Sequence, residues 1–142
     1  MPDNVCIFLI KPDAIEQGLA STIIDKIIAV GLKIRLQKTV QLTEAMVRQY
    51  QPVLDMPSEH TDGWQKMVID FMTSRPVEVI VAEGINALAE SQQIKRMVRD
   101  NYLISNDRLD IIIKNLLHTA DSAQDLELDL KVLCPEYLQR IE

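Results

Sequence analysis

The chain is poor in the residues that build loops, staples and metal cages: among 142 residues there are four glycines, two cysteines, two histidines and one tryptophan, and aromatics make up 4%. Each scarcity closes a class of explanation. Cys6, in an apolar run, and Cys134, near the far end, are too few and too far apart for a disulfide framework and read as buried thiols. Two distant histidines add no zinc-ligand spacing, so no metal site is expected. No apolar run approaches the roughly 18 residues of a membrane span, and the N-terminus lacks a basic region leading into an apolar core and cleavage site. The expectation is a cytoplasmic protein with no membrane partner. Basic residues are outnumbered as well. A formal net charge of −6 excludes a general phosphate-neutralising face, and with it nucleic acid as a partner. Repeats and linker compositions are missing too, and 142 residues with 47% hydrophobic suit a single domain over 1–142 with a sizeable core.

What is present is a regular alternation of strand and helix patterns. Val5 to Ile10 is continuously apolar and closed by Lys11-Pro12, the pattern of a buried central strand. From Leu19 to Val30, Leu19, Ile23, Ile24, Ile27 and Ile28 share a helical face, with Ser21 or Thr22 to cap it and Gly31 to end it. Leu32 to Val40 alternates as a half-buried strand. Thr43, Met46, Val47 and Tyr50 predict a short helix ended by Pro52, and Gln51 to Gly63 reads as a loop before a helix containing Trp64, Met67, Val68 and Phe71. Val77 to Ala82 is the third strand. Asn86 to Asp100 is helical, with Leu88, Ile94, Met97 and Val98 as its apolar side. Over Asn101 to Leu117 the Ile111-Ile112-Ile113 run fits strand and buried helix equally, and Ser122 to Leu133 reads as a last helix. The order suits an α+β, ferredoxin-like sandwich: a four-stranded antiparallel sheet with helices packed on one side.

Chemistry is concentrated around His118, in Lys114-Asn115-Leu116-Leu117-His118-Thr119-Ala120-Asp121-Ser122. Taken alone, a histidine beside two leucines reads as a packed core residue. Yet an imidazole, with an ordinary pKa of about 6.5, can attack an electrophile near neutral pH. Gln92 to Arg108 holds the densest positive charge, Lys95, Arg96, Arg99 and Arg108, which on charge alone reads as a solvated helix face. A small anionic substrate would need such a cluster.

Four segments in order carry a resemblance. Ile10 to Leu19 is similar to the K-P-D/N-(A/G)-(V/I)-x-x-G-L segment of nucleoside diphosphate kinases, and Asn115 to Ser122 to their N-x-x-H-G-S-D-S segment. Between them Phe71 to Val77 resembles F-M-x-S-G-P-(V/I), and Glu83 to Ala87 resembles E-G-x-N-A/V; the likeness spans roughly residues 4 to 133. The resemblance implies a kinase that moves the terminal phosphate of ATP or another nucleoside triphosphate to a nucleoside diphosphate, by ping-pong through a phosphohistidine, with Mg2+ carried by the nucleotide phosphates. By position, His118 would carry the phosphoryl group and Asp129, where the family has a longer glutamate, would orient it. Lys11 and Asn115 would meet ribose and phosphate oxygens. Tyr50 would donate beside the phosphate, and Trp64 would stack on the base. Lys95, Asn101 and Arg108 fall opposite a family arginine, threonine and arginine. Thr119-Ala120 replaces Gly-Ser, and the phosphate loop is shortened, with no proline between Pro76 and Pro135 and no glycine after Gly84. These departures imply reduced or altered activity. The alternative is a degenerate nucleotide-binding or oligomerising module of the same fold, and in either case the resemblance implies a homo-oligomer.

Overall fold

A computed structural model describes residues 4–50, 61–103 and 114–141 of the chain. Strand β1 (Val5–Ile10) has every residue buried, as its unbroken apolar run requires. It lies inside a four-stranded sheet of order β2-β3-β1-β4, built with β2 (Lys33–Val40), β3 (Val77–Glu83) and β4 (Leu117–Thr119). All pairings are antiparallel, and β1 sets Leu9 opposite both Val79 and His118. The fourth strand is therefore the histidine segment itself, while the Ile111–Ile113 run lies outside the described residues.

Helices cover both faces of the sheet, not one. Val5, Ile7 and Leu9 join Val77, Val79 and Val81 in one core, with α3 (Glu44–Tyr50), α4 (Thr61–Met72), α6 (Ala123–Leu133) and α7 (Pro135–Ile141) above it. Cys6, Phe8 and Ile10 join Ile80 and Ala82 in a second core, under α1 (Pro12–Glu16), α2 (Ala20–Ala29) and α5 (Ala87–Tyr102). A central strand with no polar face demands cover on both sides. Only β2, at the edge, keeps the alternation of a strand half open to water.

Several local expectations need correction. Helix α2 begins after Leu19 with no side-chain cap, so Ser21 and Thr22 do not serve; Gly31, at φ 89°, does end it. Ile28, Met67 and Met97 are exposed and not part of their helices' apolar faces. Gly63 lies inside α4, which begins at Thr61, so the expected loop does not extend through Gly63; its remainder, with Pro52, lies outside the described residues. Inward from α4 point Val68, Ile69 and Met72, and inward from α5 Ala87, Ser91, Ile94 and Val98. Ser122 caps α6 by accepting from Asp125 N–H at 3.1 Å. Helix α7, opening on Pro135, was not anticipated. Cys6 and Cys134 are free and buried, and burial pushes both thiols up to about 12.

Candidate functional site

Strand β4 is three residues long and divides its side chains by alternation. Leu117 packs into the second core with Leu116, while His118 turns to the other face, beside α3 and α6. There His118 Nε2 meets Asp129 Oδ2 at 2.9 Å. Asp129, two turns into α6, is only 2% exposed while the imidazole is 23% exposed, so the carboxylate holds the ring from inside. With Asp129 as acceptor the ring proton sits on Nε2 and the lone pair on Nδ1. The Tyr50 ring lies 5.3 Å from the imidazole, tilted by 58°. Its buried hydroxyl has no hydrogen-bond partner among the described residues, and burial and then the Asp129 charge push its pKa up, so it stays a donor.

Lys11 follows β1 directly, and its Nζ donates to Asn115 Oδ1 at 2.7 Å. Burial pulls its pKa down to about 8, reinforced by Arg99 and Lys95 and opposed by Asp13. The Asp13 carboxyl is pushed up by its own burial. Between Asn115 and His118 the backbone makes a γ-turn. Leu116 has φ 74°, and Leu117 N–H donates back to the Asn115 carbonyl at 2.8 Å. A non-glycine residue held there stores about 1–3 kcal/mol, and such strain clusters at functional sites. Asp13 Oδ2 accepts from Leu116 N–H at 3.1 Å, and the Leu116 carbonyl accepts from Lys11 N–H at 2.9 Å.

Along this segment runs a polar stripe of α5 at spacings of three and four residues. Gln92 Nε2 donates to the Asp121 carbonyl at 3.1 Å, Lys95 pairs with Asp121 at 3.2 Å, and Arg99 donates to the carbonyls of Asn115 and Leu117. A local positive field thus forms inside an acidic protein.

His118, Asp129, Tyr50, Lys11, Asn115 and Lys95 are the sequence-predicted residues brought into this region. Asn101 is not. It stands exposed on the last turn of α5, two positions past Arg99 and so about 200° round the helix from it. Trp64 lies on α4, but its side chain is outside the described residues, as is Arg108 altogether. Sequence reasoning missed Asp13, although it quoted the motif containing it, and left Gln92 and Arg99 without roles. Only the 92-95-99 spacing, beside the buried Ser91, Ile94 and Val98, marked that face.

Fold and geometry define a class: a ferredoxin-like α+β domain presenting a carboxylate-held histidine on an edge strand of its sheet, with Lys11, Lys95 and Arg99 along the segment that leads to it. The sequence profile of the nucleoside diphosphate kinase family matches residues 4–137, and the chain belongs to that family. It is 30% identical over 126 residues to the nucleoside diphosphate kinase of Campylobacter hominis, covering 86% of this chain and 88% of that one. The enzyme of Anaeromyxobacter sp. (strain K) is 31% identical over 132 residues, 90% of this chain and 86% of its own. Among solved structures, the Encephalitozoon cuniculi nucleoside diphosphate kinase superposes with TM-score 0.77 at 22% identity, over 92% of this chain and 88% of that one. A halophilic nucleoside diphosphate kinase from Halobacterium salinarum, in complex with CDP, gives 0.71 at 22%, over 93% and 88%. These two likenesses bear on the fold, which is the α+β sandwich expected. The chain is an enzyme of phosphoryl transfer between nucleoside tri- and diphosphates, and the degenerate-module alternative is not favoured.

Proposed function

We propose that the transfer runs through a phosphohistidine at His118, in one domain spanning residues 1–142. The observation that carries this reading is the 2.9 Å contact between His118 Nε2 and Asp129, which leaves Nδ1 as the nucleophilic ring nitrogen. The Nδ1 lone pair forms the N–P bond while the bond from the γ-phosphorus to its bridging oxygen breaks, and that electron pair leaves with the diphosphate. In the second half, a terminal oxygen of the acceptor diphosphate attacks phosphorus and the N–P pair returns to Nδ1. Asp129 keeps the Nε2 proton throughout and stabilises the positive charge that grows on the ring.

Lys11, Asn115 and Lys95 supply positive charge and amide donors to the phosphates and sugar, and Tyr50 supplies a hydroxyl beside the imidazole. Trp64 would stack on the base and Arg108 would add a guanidinium from outside the described residues; Asn101, exposed on the last turn of α5, would reach the phosphates only from beside the 104–113 segment outside the described residues. The donor set of amines, amides and a hydroxyl suits phosphate oxygens. By resemblance magnesium would come with the nucleotide, carried by its phosphates, and would neutralise charge on the transferring group. The halophilic relative solved with CDP supports a nucleoside diphosphate as acceptor. A homo-oligomer in the cytoplasm completes the reading by resemblance; among the described residues no helix is long and apolar enough to cross a membrane.

The test is incubation of wild type and His118→Ala with terminally labelled ATP and magnesium, followed by a chase with each diphosphate. Acid-labile, alkali-stable label is expected on wild type alone, moving to the diphosphates. Equal label on the variant would overturn the reading.

A further inference from the structure

The turn that delivers His118 is bridged by a side chain to which the chemistry above gives no role. Arg99 Nε donates to the Asn115 carbonyl at 3.0 Å, and its Nη2 donates to the Leu117 carbonyl at 3.0 Å. These are the first and third residues of the γ-turn centred on Leu116. One rigid, planar guanidinium thus fixes the distance between the two carbonyls on either side of the strained residue. Asp13 and the Lys11 backbone hold Leu116 itself, so every backbone polar group of the turn from the Asn115 carbonyl to the Leu117 carbonyl is engaged. A left-handed leucine persists only under such over-determination. Arg99 touches no reacting atom, yet it sits between the amide that faces Lys11 and the imidazole one residue on.

We propose that Arg99 is a positioning residue for the transfer: by bridging the Asn115 and Leu117 carbonyls it sets the γ-turn, and through it the His118 ring and the Asn115 amide. Its kinetic consequence rests on the phosphohistidine reading; its structural core does not. Without the bridge the turn relaxes toward ordinary negative φ and both side chains shift together. A displacement on the order of 1 Å at a reacting group costs about 100-fold in rate. A lysine keeps the charge but is a point donor that cannot span both carbonyls.

The experiment compares wild type with Arg99→Gln, Arg99→Lys and Arg96→Gln, the last removing an equal charge from an exposed position one turn earlier on α5. Two readouts are taken on each: kcat and KM for transfer from ATP, and amide hydrogen exchange by NMR. Both Arg99 variants are expected to lose about 100-fold in kcat with KM little changed. The Leu117 N–H, which closes the turn, should exchange faster while the Phe8 and Ile80 amides, opposite each other across β1 and β3, stay protected. Arg96→Gln should match wild type in both. Full activity in Arg99→Lys, unchanged Leu117 exchange, or acceleration spread equally over Phe8 and Ile80 would each overturn the proposal. If wild type carries no phosphoryl group the phosphohistidine reading falls, and Leu117 exchange still decides what Arg99 does.

Discussion

At the scale of single residues, the unusual group is Lys11. It is the cation proposed to meet phosphate, and burial, Arg99 and Lys95 pull its pKa down to about 8, with Asp13 opposing. Two opposite pH dependences follow. In the free enzyme kcat/KM should fall above about pH 8, as Lys11 loses its proton and with it its hold on the anionic substrate. For stability the sign reverses. The folded-state pKa lies below the ordinary 10.5, so between about 8 and 10.5 the unfolded chain binds more protons and the Lys11 contribution improves as pH rises. Denaturant melts of wild type and Lys11→Met across that window isolate it: the difference should move in favour of wild type as pH climbs. A flat difference would show that Lys11 is protonated alike in both states.

At the scale of elements, α6 matters most, because it carries Asp129 from its capped end into the core. Ser122→Ala removes the side-chain acceptor of Asp125 N–H and should cost about 1 kcal/mol, read as a lower urea midpoint at unchanged slope. A midpoint equal to wild type would mean the cap is dispensable. Elements of this kind were legible where pattern and length agree, as in the unbroken run of β1, the alternation of β2 and the helix ended by Gly31. The three-residue β4 was not, since so short a strand has no period to read. The same split runs through the site. Lys11, Asn115 and His118 stood in motifs and Asp129 was placed by its position on the last helix, whereas Arg99 acts on backbone carbonyls, which leave no mark in a sequence. Two-sided cover of the sheet was also implicit in the apolar runs of β1 and β3, but the order of elements does not say which face each helix covers.

At the scale of the whole molecule, alkali acts on groups the chemistry never uses. Cys6 and Cys134 are pushed from 9.0 to about 12 by burial, and Tyr137 is pushed upward as well. Here the folded state binds more protons than the unfolded one, so stability should decline once pH passes about 9, the thiols' ordinary value. Thermal melts of Lys11→Met, free of the opposing lysine, should show a falling Tm from pH 9 to 11; a constant Tm would mean the thiols ionise in the folded protein. The doubly covered sheet has one more effect. In most sheets a one-residue slip throws apolar side chains into water, and that penalty fixes the register. In β1 a slip would merely exchange Ile for Leu or Phe between two equally dry layers, so hydrophobic pattern cannot choose the alignment. What chooses it is the ends: Gly84 N–H donating to the Asn4 carbonyl at 2.8 Å, and Lys11 N–H donating to the Leu116 carbonyl. Sliding β1 one step inward would drag the Lys11 ammonium between the layers in place of Ile10. The charge proposed to meet the phosphate is thus also the stop that sets the strand's alignment, and with it the position of Leu9 opposite His118.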